Sequence, residues 1–238
     1  MEVNQVKQLS FSGAYIDAKY VENLENYPIH HRTIAINPQS SDAHLSEETA
    51  SIIPAYSSTI LQDTIIQKAE SLLLLDVAES KNIGKIVFEP DWDLLGNLID
   101  SFPKDVPLWR SPQDEAGIVE IDPYLMTRQS SPPHQKEKFC VKVNLWFAPS
   151  HTDCFIHNQH DFIEIHTQLF GQGRMQKFKV NAFKSLYEDM LMSPGFTTSV
   201  PFCEIHEHNQ YTYPWHQYYA DTDCIWLAIE YHPTNTTR

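Results

Sequence analysis

A ten-residue segment in the second half of the chain concentrates side chains that bind metal ions. It runs from His157 to His166 and reads HNQHDFIEIH. On a β-strand, side chains two residues apart point to the same side. One face of such a strand would carry His160, Phe162, Glu164, His166 and Gln168. Two imidazoles and a carboxylate on one buried face are costly unless each has a partner, and a divalent cation supplies one to all of them. These residues therefore predict a metal site.

The alternative is a solvated sheet face that binds no ion. Ile163, Ile165 and Leu169 occupy the opposite face of the predicted strand. If only that apolar face were buried, the polar residues would need no partner other than water. The spacing of the polar residues favours the metal site over this alternative.

That spacing resembles the first sequence motif of the cupin superfamily. The motif consists of a histidine, three residues, a glutamate, six residues and a glycine, and His160, Glu164 and Gly171 fit it. The family usually has another histidine two residues before the first one named here. This chain has Asn158 at that position and a histidine one place earlier, His157. The resemblance implies His160 and Glu164 as metal ligands, with His157 as a candidate further ligand.

A second cupin motif begins at Gly195 and Pro201, which have the expected spacing. Two registers compete for the histidine ligand that should follow. In the first register, Cys203 replaces the family's turn glycine and His206 is the ligand. His208 is a further candidate in this part of the chain.

In the second register, residues from about 202 to 213 are an insertion and His216 is the ligand. We favour His216, because we expect the ligand to lie on the strand that pairs with the closing strand, Ile225–Ile229. The resemblance covers roughly Lys138–His232, under half the chain. It implies a metal-binding β-barrel (jelly roll), and dimers are common among its members. The chain has only 7 glycines, fewer than is typical of the family's turns.

The predicted inward face extends beyond the metal ligands. His166 is a candidate catalytic acid or base, because a histidine exchanges protons near neutral pH. Gln168 lies on the same face, and Arg174 and Gln176 follow at the same period on the next strand. We predict these three as ligand-binding residues, with Arg174 able to hold a carboxylate. A surface ion pair is the alternative for Arg174.

The ligand types favour one divalent transition metal. Two histidines and a carboxylate leave open coordination positions, an arrangement suited to Fe(II) and O₂, although zinc, manganese and nickel also accept such ligands. No cysteine lies next to the ligands, which argues against a closed structural zinc site. The leading hypothesis is an Fe(II) oxygenase that acts on a small polar or carboxylated molecule. The alternatives are a redox-neutral isomerase or lyase, and a non-catalytic cupin that binds a small ligand.

Composition limits the partners and the compartment. The net charge of −14 repels phosphate groups, so we expect neither nucleic acid nor an anionic membrane as a partner. The N-terminal segment has no apolar signal sequence, and no apolar run is long enough to cross a membrane. The four widely spaced cysteines favour reduced thiols in a cytoplasmic protein. The resemblance to cupins further implies a homodimer, which we expect to act on a small molecule.

The chain before the barrel reads as a mixed α and β portion. Apolar positions between Thr59 and Ala78 recur at helical spacing, Lys85–Glu89 is a strand candidate, and a second helix begins at Pro90 and runs through Leu98. A proline-rich segment around 130–138 is the best linker candidate. We predict an N-terminal portion, 1–130, and a barrel, 131–238. In the alternative, the early residues contribute strands to the barrel and the chain is one domain.

Overall fold

The computed structural model describes residues 2–47, 49, 51–78, 82–130, 135–206 and 210–234. Its secondary structure is mainly β, which confirms the predicted fold class. The strands are β1 (Gln5–Gln8), β2 (Ile16–Ile29), β3 (Thr33–Ile36), β4 (Ala43–Leu45), β5 (Ser51–Ile53), β6 (Ser58–Leu61), β7 (Thr64–Val77), β8 (Asp93–Leu94), β9 (Trp109–Arg110), β10 (Asp114–Ile121), β11 (Glu137–Ala148), β12 (Thr152–Asp153), β13 (Ile163–Phe170), β14 (Gly173–Phe178), β15 (Leu186–Met192), β16 (Glu204–His206), β17 (Gln210–Thr212), β18 (Trp215–Ala220) and β19 (Cys224–Pro233). The helices are α1 (Leu95–Leu98) and α2 (Pro123–Met126), with 3-10 helices at Ile83–Phe88 and Phe183–Ser185.

Three antiparallel sheets form the body of the protein. The N-terminal sheet has the order β1-β2-β7-β3-β6, with β4 and β5 attached to β7. The central sheet has the order β13-β19-β11-β9-β8, with β10 paired to β11. The outer sheet has the order β12-β18-β14-β15, and β16 and β17 form a separate hairpin. The central and outer sheets face each other, in agreement with a cupin-like jelly roll.

The central sheet is buried on both faces. Val143, Ile165 and Ile229 point towards the N-terminal sheet and belong to the largest hydrophobic core. On the other face, Trp226 packs with Met175 of the outer sheet in a smaller core. Because side chains alternate along a strand, the residues between the apolar ones of β13 must face the outer sheet. The functional side chains lie on that face.

The structure corrects the predicted start of the metal-binding strand. β13 begins at Ile163, so Glu164, His166 and Gln168 share a strand face as predicted. His160 and Phe162 lie in the preceding loop, and the argument from alternation does not apply to them. The solvated-face alternative is wrong, because every residue from Ile163 to Leu169 is buried.

The helix predicted between Thr59 and Ala78 is wrong. The segment forms β6 and the long strand β7, which pairs with β2 along most of its length. Leu72 and Leu74 pack on one side of the N-terminal sheet, while Leu73 and Leu75 pack on the other. A strand buried on both faces has a continuous apolar run that periodicity alone does not distinguish from a helix.

The other predictions for this half of the chain have mixed outcomes. The strand expected at Lys85–Glu89 is wrong, since the segment lies mostly in the 3-10 helix Ile83–Phe88. The helix expected from Pro90 to Leu98 is wrong over its first half, where β8 forms, and only the single turn α1 at its end is helical. Within the proposed linker, residues 131–134 lie outside the described part of the chain. β8, β9 and β10 precede residue 131 and belong to the central sheet.

Two further features bear on the sequence expectations. The four cysteines are free thiols, and three of them are buried. Across the described ranges, we find no helix with the length and apolar character needed to cross a lipid bilayer.

Candidate metal centre

Four side chains predicted as metal ligands converge between the central and outer sheets. Glu164 comes from β13, His216 from β18, and His157 and His160 from the segment between β12 and β13. The Nε2 atoms of His160 and His216 lie 3.2 Å apart. Oε1 of Glu164 lies 3.3 Å from the first of these nitrogens and 3.7 Å from the second. Potential ligand atoms of the three histidines all lie within 4.8 Å of one another.

Backbone pairing positions His157 opposite His216. The two residues exchange hydrogen bonds of 3.0 and 2.9 Å between their backbone N–H and C=O groups, as an isolated antiparallel bridge. The centroids of the two imidazole rings are consequently 4.4 Å apart. His157 therefore lies beside the other ligands although it is one position away from the family's histidine. The role of His157 as a ligand stays a prediction.

Hydrogen bonds to the backbone orient two of the imidazoles. Nδ1 of His216 lies 2.9 Å from the carbonyl oxygen of Pro214, and Nδ1 of His157 lies 3.0 Å from that of Phe155. Because a carbonyl oxygen only accepts, each Nδ1 carries the proton and donates. In the neutral ring, Nε2 is then left with a lone pair for an ion. Such outer contacts typically fix the tautomer of histidines that bind metals.

Tyr213 holds the loop that contains His160 against the start of β13. Its hydroxyl donates to the carbonyl oxygen of Phe162 at 2.8 Å and accepts from the backbone N–H of Glu164 at 3.1 Å. The tyrosine ring also packs against the imidazole of His160, with centroids 4.6 Å apart. Phe202 packs on His216 from another side, at 4.8 Å. These aromatic rings shield the ligand cluster from water.

The environment favours neutral imidazoles and an ionised carboxyl group. Burial by itself raises the pKa of the Glu164 carboxyl, but His160, His166 and His216 beside it outweigh burial and hold that pKa well below its ordinary value. Burial lowers the pKa of His157 to about 3 and that of His166 to about 4, and it also lowers the pKa of His160. These are the protonation states in which such side chains bind metals.

The donor set therefore fits a divalent transition metal. The Nε2 atoms of His160 and His216 face each other at 3.2 Å with a carboxylate oxygen beside both, so one cation between them could bind all three side chains. Ligand atoms about 2.1 Å from an ion, at right angles, lie about 3 Å apart. The separations between His160, His216 and Glu164 are close to this value.

Of the two competing histidines of the second motif, the structure describes only His206, which lies away from the cluster. His206 lies exposed on β16, and its Nε2 is 2.9 Å from Oγ1 of Thr212. His208 lies outside the described residues. The reason given for preferring His216 is wrong, because β18 pairs with β12 and β14 and not with the closing strand β19. His216 reaches the cluster from the facing outer sheet.

A cavity of about 940 Å³ opens onto the ligand cluster. His166 lines it and packs on Tyr218, with ring centroids 4.3 Å apart. The Nδ1 atom of His166 is buried and has no hydrogen-bond partner in the described part of the chain, and its Nε2 lies 3.9 Å from Oε2 of Glu164. With a pKa near 4 it is a neutral imidazole at neutral pH, and its role as a catalytic acid or base stays a prediction.

The expectation that Arg174 and Gln176 point into the cavity is wrong. Met175 of β14 packs against the central sheet, so its two neighbours point the other way. The guanidinium of Arg174 is one-third exposed and pairs with Asp221 and Asp189, each at 2.8 Å. Gln176 donates to the same Asp189 at 3.2 Å.

Gln168 is buried but lies outside the cavity lining. Its Nε2 donates to the carbonyl oxygen of Phe170 at 2.6 Å. The predicted ligand-binding role therefore has no support from the position of this side chain.

Sequence reasoning missed a second set of polar residues in the cavity. They come from three strands of the central sheet and the segment between β9 and β10, and they are Arg110, Gln113, Trp146, Glu230 and His232. Arg110 belongs to a two-residue strand in a proline-rich segment, far from either motif. No local pattern marks it, because only the sheet pairing brings it to the cavity.

Comparison with known proteins returns cupin-type structures. No protein-family model matches the sequence, and no curated protein matches it. The solved structures include the Escherichia coli ribosomal oxygenase YcfD (16% identity, 40% of this chain, TM-score 0.29) and an RmlC-like cupin from Desulfovibrio desulfuricans (15% identity, 38% of this chain and 71% of that chain, TM-score 0.28). Ectoine synthase from P. lautus matches at 10% identity over 60% of this chain and 79% of its own, with a TM-score of 0.30.

These similarities are partial. The match spans 24% of the length of YcfD. Because the three TM-scores lie below 0.5, the similarities carry no argument about activity. The functional interpretation rests on the residues of the ligand cluster and the cavity.

Proposed function

We propose that this protein is a metal-dependent enzyme that binds one divalent transition metal through His157, His160, Glu164 and His216. The convergence of two histidine Nε2 atoms and a glutamate oxygen, 3.2 to 3.7 Å apart, carries the proposal. Burial lowers the pKa of His160 and so favours its neutral form, while the neighbouring histidines lower the pKa of Glu164 and favour the ionised carboxylate, as metal binding requires. A structural zinc site is disfavoured, because the cluster opens onto a cavity of about 940 Å³ and contains no thiolate.

We further propose that the metal is Fe(II) and that the reaction is an oxygenation of a small molecule. When bound, Fe(II) with imidazole and carboxylate ligands supplies the activation of O₂. The protein contributes a partly enclosed site: Phe202 and Tyr213 pack on the ligands, and aromatic side chains form part of the remaining cavity wall. Such a wall excludes water and so protects reactive groups from side reactions. His166, as a neutral imidazole on the cavity wall, is placed to accept a proton from a bound substrate.

Oxygen consumption tests the oxygenase proposal. The protein reconstituted with Fe(II) is supplied with a panel of small carboxylated and polar molecules in an oxygen electrode, and products are analysed by mass spectrometry. We expect O₂ uptake that depends on one substrate and is lost in Glu164→Ala, with His206→Ala as the control. Substrate turnover without O₂ uptake would instead identify a redox-neutral isomerase or lyase, in which the metal polarises an oxygen of the substrate.

We also propose that the protein acts as a homodimer in the cytoplasm. The free cysteines fit a reducing compartment, and exposed apolar side chains on the edge strand β15, among them Leu186 and Leu191, offer a surface for a second copy. Light scattering coupled to gel filtration measures the mass directly. A mass equal to that of one chain contradicts the dimer.

A further inference from the structure

The newly found polar residues lie away from the metal ligands within the same cavity. In the central sheet, β9 with Arg110 is separated from β13 with Glu164 by β19 and β11. Three strand spacings of about 4.8 Å put the two backbones roughly 14 Å apart. Both side chains line the cavity, so a small molecule can contact the arginine and the metal ligands at the same time.

Arg110 makes no ion pair within 4 Å among the residues that the structure describes, although the carboxylate of Glu230 is near enough to favour its charged form and to raise its pKa against the effect of burial. The Nε atom of Arg110 is buried without a hydrogen bond. This is unusual in a chain with 31 acidic and 17 basic residues. Arg174 illustrates the ordinary outcome, because two aspartates pair with it. A buried guanidinium nitrogen without an acceptor costs free energy, which an anionic ligand would recover.

A second donor lies next to this arginine. Trp146 is directly opposite Arg110 in the pairing of β9 with β11, so the two side chains are neighbours on one sheet face. The indole Nε1 of Trp146 is also buried without a hydrogen-bond partner among the residues described. Guanidinium and indole N–H groups only donate. Together they can donate to the two oxygen atoms of one anionic group.

The charges nearby favour a carboxylate over a phosphate as that acceptor. Glu230 lines the same cavity, and its Oε2 accepts hydrogen bonds from Gln113 at 2.9 Å and His232 at 2.8 Å. Glu164 lies directly across from Glu230 in the β13–β19 pair. Two carboxylates in one cavity repel a dianion more strongly than a monoanion. We propose that Arg110 and Trp146 bind the carboxylate of a small monoanionic substrate.

This inference rests on the proposed function and deepens it. A substrate whose carboxylate is bound by Arg110 would place the rest of its body towards the metal ligands. The sequence suggested Arg174 as the residue that binds a carboxylate, and the inference assigns this role to Arg110 instead. The aromatic wall, including Phe102, Tyr218 and Trp226, suits a ligand with an apolar body. Phenylacetate is therefore a suitable probe, with phenylacetamide as its uncharged analogue and phenyl phosphate as the alternative anion.

Isothermal titration calorimetry on the protein as purified tests the subsite. We expect phenylacetate to bind at least tenfold more tightly than phenylacetamide or phenyl phosphate. We expect Arg110→Gln to weaken phenylacetate binding at least tenfold, and Arg174→Gln to leave it unchanged. Comparable binding of the three probes, no binding of phenylacetate, or an unchanged affinity in Arg110→Gln overturns the inference.

Two controls separate this subsite from the metal site. Metal content should be unchanged in Arg110→Gln, and circular dichroism should show that the variant is folded. Glu164→Ala should lose metal but keep its affinity for phenylacetate within about threefold. If Glu164→Ala keeps its metal, the proposed function fails while the subsite stands. If Glu164→Ala loses phenylacetate binding together with the metal, the carboxylate binds the ion and the subsite at Arg110 is wrong.

Discussion

The Nε2 atoms of His160 and His216 face each other at 3.2 Å, although the residues are 56 positions apart in the chain. Nδ1–H of His216 donates to the carbonyl oxygen of Pro214, so Nε2 of the neutral ring carries a lone pair. This lone pair is on the atom that faces Nε2 of His160. Glu164 adds a carboxylate oxygen within 3.7 Å of both. A cation shared by the three side chains would bind all of them in this one buried place.

The first prediction compares the two histidines that competed for the second motif. His216→Ala should reduce bound metal to below about a tenth of the wild-type content, because it removes one of the converging nitrogens. His206→Ala is the matched control, since His206 is exposed and contacts Thr212. Elemental analysis of the purified variants gives the answer. Retained metal in His216→Ala, or loss in His206→Ala, contradicts the assignment.

The second prediction concerns His157 as a further ligand. The contacts of 3.2 to 3.7 Å join His160, Glu164 and His216. His157 lies at the side of this group, with its ring centroid 4.9 Å from that of His160 and 4.4 Å from that of His216, so we expect it to contribute less to metal binding than those three. His157→Ala should therefore weaken metal affinity by roughly 10–100-fold, the range found for groups that support a metal site, without abolishing binding. Competition with a chromogenic chelator measures this change. An affinity equal to that of the wild type removes His157 from the ligand set.

The third prediction is a pH dependence of stability in the metal-free protein. The pKa of His157 is lowered to about 3 and that of His166 to about 4, against about 6.5 in an unfolded chain. Both side chains therefore take up protons on unfolding, and acid favours the unfolded state. The free energy of unfolding should fall as the pH drops from about 6.5 towards 4 and should not depend on these groups above that window.

Thermal denaturation in the presence of a chelator, at about pH 7 and about pH 5, measures this effect. His157→Gln should show a smaller difference in Tm between the two pH values than the wild type. The exposed His206→Gln should behave as the wild type does. An equal Tm for the wild-type protein at both pH values contradicts the buried, neutral state of these histidines.

The fourth prediction concerns the turn between β13 and β14. Gly171 has φ +72°, and an added Cβ atom would overlap the carbonyl oxygen of Asp223. Strained backbone of this kind costs about 1–3 kcal/mol, so Gly171→Ala should lower the free energy of unfolding by at least that amount. Gly84→Ala is the control, because the nearest atoms to an added Cβ there are 3.5 Å away. Chemical denaturation compares the two, and equal stabilities contradict the role assigned to the turn.

The sequence predicted the site better than the fold around it. The spacing of His160, Glu164 and Gly171 carries the first motif, and the alternation of β13 predicted which of its residues share a face. The predicted helix failed at β7, where four consecutive leucines, Leu72–Leu75, are buried on alternating sides. Such a run has no period that separates a strand from a helix.

The residues that line the cavity were harder to predict. Their positions depend on which side chains of a strand face inward after a turn and on which strands pair. The phase of β14 after the turn places Met175 inside and Arg174 outside, which the sequence alone does not fix. A shift of one residue exchanges the two faces of a strand. Arg110 reaches the cavity through its pairing opposite Trp146, a contact between residues 36 positions apart that no local pattern signals.

The central claim is that this cluster holds one transition-metal ion per chain. Elemental analysis of protein purified without chelators, followed by reconstitution with Fe(II), tests it on the wild type and on Glu164→Ala. We predict close to one ion per wild-type chain and less than about a tenth of that in Glu164→Ala, since the variant removes the cluster's carboxylate. A wild-type protein that stays without stoichiometric metal after reconstitution, or a Glu164→Ala variant that retains it, contradicts the claim.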